Sequence, residues 1–164
     1  MASATMTDND QQLAFVFQYT VEAYKQFQKF AEILHNPMSA ATFKRFAEDE
    51  RQSRDLLEIR YLGGGAVRVP LTLGSDLKFQ DVFEGDLSDR EQLEMLLVRE
   101  RTMEKKLAEL AQNGPAGERN LYHYLGATKR AHVAYLEREL ELARLYKNWL
   151  SREDGEDVVV HGVE

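Results

Sequence analysis

Apolar and small residues fall at Leu13, Val16, Phe17, Thr20, Ala23, Tyr24, Phe27, Phe30, Ala31 and Leu34. Steps of three and four along a chain wind onto one face of an α-helix, so this run predicts a helix over about 8–35. His35-Asn36-Pro37 closes it and opens the next, because asparagine caps a helix and proline suits its first turn. A second helix over 38–62 aligns Phe43, Phe46, Ala47, Glu50, Ser53, Leu57 and Tyr61, and Gly63-Gly64-Gly65 stops it. From 66 to 87 the period is lost among Pro70, Gly74, Gly85 and the β-prone Val67-Arg68-Val69, which reads as a connection. Ser88-Asp89-Arg90-Glu91 is a capping box opening a third helix over 88–113, with Leu93, Leu96, Leu97, Glu100, Met103, Leu107, Leu110 and Ala111 inward. After Asn113-Gly114-Pro115, a fourth helix over 117–150 turns Leu121, Leu125, Lys129, His132, Leu136, Leu140, Ala143, Tyr146 and Leu150 to one side. Residues 151–164 form an acidic tail with Val158-Val159-Val160, expected to be flexible.

Two short turns on either side of one long connection predict an all-α fold. The expected architecture is a ferritin-like antiparallel four-helix bundle over 8–150, with a long crossover between the second and third helices. Its inward faces contain a conflict. Glu50, Glu100 and His132 lie within otherwise apolar stripes, where an ionisable group is costly unless paired or metal-bound. At about 1.5 Å per residue, Thr20, Glu50 and Glu100 are each about 18 Å into their helices, and Lys129 and His132 about 18–22 Å into the fourth. They therefore share one level. Glu50 and Ser53, like Lys129 and His132, are three apart and project from neighbouring points on one helical face.

Composition narrows the chemistry. The 164 residues, 43% hydrophobic, suffice for one core, and 21 basic against 28 acidic residues leave a charge of −7. That balance disfavours nucleic acid and anionic membrane as main partners. The chain has no cysteine, so a metal here must use carboxylate, imidazole or carbonyl ligands. Gly63-Gly64-Gly65 follows a helix, not a strand, and is not a phosphate loop. With no apolar run of membrane length and no basic, apolar leader in the first residues, the expected location is cytoplasmic. His35, His123 and His161 stand apart from the layer, and Tyr19, Tyr24, Tyr122, Tyr124 and Tyr135 are read as packing. Arg51, Arg54, Arg99 and Arg101 are expected in solvated pairs along their own helices.

The segments Phe46–Ser53, Val98–Glu100 through Leu107–Ala111, and Lys129–Glu137 resemble the helices of rubrerythrin-type members of the ferritin-like superfamily. Over about 8–150, the resemblance implies a site in which the first and third helices each give one glutamate and the second and fourth each give a Glu-x-x-His pair, together holding two irons. Carried over, Glu50, Glu100 and His132 match three ligand positions, while Thr20, Ser53 and Lys129 stand at the other three. The rubredoxin domain of rubrerythrins proper has no counterpart here. Glu50 and Glu100 give −2, Lys129 gives +1, and a protonated His132 brings the layer to zero, so an ammonium can balance the carboxylates without metal. Hydroxyls of Thr20 or Ser53 would add hydrogen bonds.

The leading expectation is therefore a rubrerythrin-like bundle that has lost diiron chemistry and acts as a non-catalytic structural or interaction protein, without cofactor. The alternative is an iron- or other divalent-metal-binding oxidoreductase acting on peroxide or oxygen, or an iron-handling protein. It would use Glu50, Glu100 and His132 as a single-metal set and a separate electron donor. The sequence is compatible with a homodimer, and Tyr146 and Trp149 read either as a contact surface or as a cover for the bundle end.

Overall fold

A computed structural model describes residues 8–63 and 86–152. Among them every regular element is helical: α1 (Asp8–Ile33), α2 (Pro37–Gly63), α3 (Asp89–Asn113) and α4 (Arg119–Leu145), with a 3-10 turn over Ala116–Glu118 ahead of α4. The crossover expected at 66–87, apart from 86–87, lies outside the described residues, as do the side chain of Tyr61, His161 and the tail beyond Arg152. Among the described residues, no helix is long and apolar enough to cross a membrane.

The helix ends follow local chemistry. Asn36 accepts from the backbone N–H groups of Met38 (2.9 Å) and Ser39 (3.4 Å), capping α2 ahead of Pro37. Ser88 does the same for α3, accepting from Glu91 N–H at 3.2 Å. Gly114 ends α3 by donating to the Leu110 carbonyl at 2.8 Å. A Cβ there would stand 2.4 Å from that carbonyl oxygen, so only glycine permits the approach.

The α4 terminus differs from its periodicity, which continues to 150. The helix ends at Leu145, Tyr146 is extended, and Asn148 takes φ 61°, a left-handed conformation asparagine tolerates. This reversal folds Trp149 and Leu150 back into the interior. The spacing marked Leu150 as buried correctly, but a turn rather than a helix delivers it. Trp149 therefore covers the bundle end, while Tyr146 stays exposed.

α1 packs along α2 and α3 along α4, with sparser contact between α2 and α4. The α1–α2 seam is aromatic: Phe30 stacks on Phe43 with centroids 5.1 Å apart, and Phe27 meets Phe46 edge-on at 5.3 Å. Each of these buried rings contributes about 1.5–3 kcal/mol of transfer free energy. Arg51 pairs along its own helix with Glu48 and Asp55. Arg99 and Arg101 do not keep to their own helix: Arg99 donates to Gln26 on α1 and Arg101 to Glu137 on α4. The sequence period gives which face a side chain occupies, not which helix lies beside it.

Candidate functional site

The four ionisable positions at mid-bundle converge. Glu50 (α2), Glu100 (α3), Lys129 and His132 (α4) are all buried, Lys129 at 4% exposure and His132 at 0%. Lys129 Nζ is ion-paired with Glu50 Oε1 and lies 3.0 Å from Glu100 Oε2 and 3.2 Å from Glu100 Oε1. His132 Nδ1 is 3.0 Å from Glu100 Oε1 and 3.5 Å from Glu50 Oε1. One ammonium and one imidazole thus share two carboxylates.

Two contributors were not legible as site residues. The Tyr19 hydroxyl, read from sequence as packing, donates to Glu100 Oε2 at 2.7 Å, and the Lys129 ammonium sits over the Tyr19 ring, 4.8 Å from its centroid. Asp49 Oδ2 is 3.0 Å from His132 Nε2. Asp49 precedes the inward-facing Glu50 and belongs to the helix flank, yet the imidazole reaches outward to it. A signal for Tyr19 did exist, since a buried tyrosine needs a partner for its hydroxyl.

Thr20 and Ser53 are buried at this level as expected. The Thr20 hydroxyl, however, donates to the Val16 carbonyl of its own helix at 2.8 Å, so its proton does not serve the carboxylates. This i−4 back-bond is the ordinary option for threonine inside a helix. Glu22 lies off the layer and pairs with Lys25, and His35 and His123 are exposed.

Both ring nitrogens of His132 face carboxylate oxygens, an arrangement that asks each nitrogen to donate and so favours imidazolium. Burial pushes the His132 pKa down, but hydrogen bonds to Asp49 and Glu100 outweigh it and the net direction is up. Lys129 follows the same logic: burial disfavours its charge, and Glu100 and Glu50 more than restore it. The two glutamates diverge. Burial raises both, yet Lys129, His132 and Tyr19 together bring Glu100 down to about 2, whereas Glu50 stays above the usual carboxylate value. Geometry accounts for the split. Both oxygens of Glu100 accept close hydrogen bonds, while Glu50 Oε2 is buried with no partner. With His132 protonated, the four fully buried groups sum to zero charge.

The site is also the bolt between the two helical pairs. Tyr19 to Glu100 joins α1 to α3, and Lys129 to Glu50 and His132 to Asp49 join α4 to α2. His132 further packs on Phe46, with centroids 4.3 Å apart, and edge-on to Phe27 at 5.4 Å.

Ligand atoms of Glu50, Glu100 and His132 all lie within 4.8 Å of one another, a buried group that could hold a metal ion. The two-iron set implied by the sequence resemblance does not fit: the other positions it would use hold a hydroxyl bonded to its own helix, a serine and an ammonium, leaving two carboxylates where charge balance for two divalent ions needs four. A single ion meets a different obstacle, because Lys129 contacts the same Glu50 Oε1 and Glu100 Oε1 oxygens that face His132 Nδ1. No protein-family model and no curated protein matches the chain.

Proposed function

We propose that this chain is a ferritin-like antiparallel bundle, rubrerythrin-like in descent, with a crossover joining α2 to α3, and that it serves as a non-catalytic structural or interaction protein of the cytoplasm. Its central layer is a charge-balanced lock that fixes the register of one helical pair on the other, leaving the outer faces for a partner or a second copy. The observation that carries this reading is the Lys129 ammonium seated on both buried glutamates. A metal ion on those carboxylate oxygens would have to share them with an ammonium, which carries a positive charge and no electron pair to offer. Elemental analysis of protein purified without chelator, followed by iron titration monitored by absorbance, tests the proposal. Substoichiometric metal that is unchanged in His132→Ala is expected; stoichiometric metal that disappears in His132→Ala would overturn it.

A second reading rests on the convergence of Glu50, Glu100 and His132. In it, these three hold one iron or other divalent ion that supplies redox chemistry toward oxygen or peroxide, with electrons from a separate protein, once Lys129 has swung away. The same elemental analysis separates the two.

A further inference from the structure

We infer that Lys129 is the element that excludes metal from an otherwise nearly formed mononuclear site, so that shortening this one side chain turns the layer into a divalent-cation site held by Glu50, Glu100 and His132. The inference rests on the proposed metal-free lock and extends it, because it assigns the exclusion to one residue rather than to the missing ligands.

Three observations support it. The first is spacing. Ligands about 2.0–2.2 Å from a tetrahedral ion stand about 3.3–3.6 Å from one another. His132 Nδ1 already lies 3.0 Å from Glu100 Oε1 and 3.5 Å from Glu50 Oε1, so sub-ångström shifts bring these two pairs to that spacing, and all three ligand atoms lie within 4.8 Å of one another. The second is orientation. Asp49 Oδ2 faces His132 Nε2 at 3.0 Å, which fixes the ring with Nδ1 aimed at the carboxylates. A carboxylate holding the outer nitrogen of a ligating imidazole is the usual support for such a ligand.

The third is charge. Lys129 places a cation directly against the two buried carboxylates of Glu50 and Glu100. Removing Lys129 alone leaves the buried layer one positive charge short, and a cation is the species that restores balance. Glu50 Oε2, buried and without a partner, is a further oxygen that could turn toward an ion. Lys129 blocks this in the native chain because Nζ contacts Glu50 Oε1 and both oxygens of Glu100. An ion bound to those oxygens would share them with a fixed positive charge.

The test uses the full chain as wild type, Lys129→Ala, Lys129→Gln and the double variant Lys129→Ala/His132→Ala, each titrated with Co²⁺ and followed by visible absorbance and circular dichroism. Lys129→Ala should take up one Co²⁺ per chain, at least tenfold more tightly than wild type, and the double variant should lose that uptake. If Lys129→Ala is unfolded in buffer, Co²⁺ should restore its helicity and should not restore that of the double variant. Lys129→Gln, which keeps the bulk without the charge, should bind more weakly than Lys129→Ala and more tightly than wild type. Lys129→Ala with no stoichiometric Co²⁺, folded or unfolded, overturns the inference while leaving the metal-free lock intact. Stoichiometric Co²⁺ in the wild type overturns both, and uptake by Lys129→Ala that survives in the double variant places the ion elsewhere and also overturns the inference.

Discussion

Among the described residues, two of the buried polar clusters satisfy a carboxylate in opposite ways. At mid-height Glu100 is held by an ammonium, an imidazole and a phenol. At the end of the bundle Glu139, also buried, accepts from the neutral Ser39 hydroxyl at 2.7 Å and the Trp149 indole N–H at 3.0 Å. Nearby, Asn36 donates its amide to the Trp149 carbonyl at 2.6 Å. The end cluster is a mechanical latch tying the α1–α2 turn to the reversal after α4. The middle cluster does comparable joining with full charges, which are costlier to bury and costlier still to leave unpaired. Neutral donors suffice at the bundle end, and in the proposed reading the charged layer descends from a metal centre, with Lys129 standing in for the ion.

Breaking the charged cluster should have the largest effect. Lys129→Met retains the length and removes the ammonium, leaving Glu50 and Glu100 without their shared cation, and should cost about 3–5 kcal/mol in urea unfolding. A midpoint equal to wild type would mean that Lys129 does not hold the layer. Next, the two glutamates should not be equivalent. Glu100→Gln should cost about 2–3 kcal/mol, since Glu100 accepts from Tyr19, Lys129 and His132, whereas Glu50→Gln, at a residue with one unpartnered oxygen, should cost about 1 kcal/mol or less. Equal losses would remove the asymmetry. In the end latch, Ser39→Ala deletes one hydrogen bond to Glu139 with little change of volume, so about 1 kcal/mol is expected. If it exceeds Lys129→Met, the ranking of the two clusters is reversed.

The most diagnostic effect is pH dependence. Glu100, at about 2 in the fold and about 4.3 unfolded, contributes stability that is present above about pH 4.3 and is lost as pH falls toward 2. Glu50 is raised, so its contribution has the opposite sign and trims that acid loss. His132 is also raised: its stabilisation is complete below about pH 6.5 and is lost as pH rises through its folded value. Urea midpoints should therefore decline above about pH 6.5 in wild type and less so in His132→Gln. Parallel slopes would show that His132 is not protonated in the layer. The latch, whose donors are Ser39 and Trp149, adds no titrating donor of its own.

Helical periodicity carried far because each helix runs for many turns: Phe27, Phe30, Phe43, Phe46, Leu93, Leu107 and Leu136 fall in the core as their spacing implies. It also placed Glu50, Glu100, Lys129 and His132 at one depth, since rise per residue is constant. It carried less far wherever a contact depends on the neighbouring helix. Asp49 lies beside the inward stripe, and only the reach of His132 makes it part of the layer. Thr20 has the right face and depth, but its hydroxyl prefers its own helix. The latch was the least legible part, because Asn36, Ser39, Glu139 and Trp149 are distant in sequence and meet only after the chain reverses at Asn148.

In the proposed lock a charged Lys129, rather than a metal, occupies the layer. Nitrogen-15-edited NMR of the labelled full chain near neutral pH reads that group directly. A slowly exchanging ammonium signal is expected, shifted by the Tyr19 ring 4.8 Å away, absent in Lys129→Met and unmoved by one equivalent of Zn²⁺. A folded wild-type protein without that signal, or one in which stoichiometric Zn²⁺ abolishes it, would contradict the account.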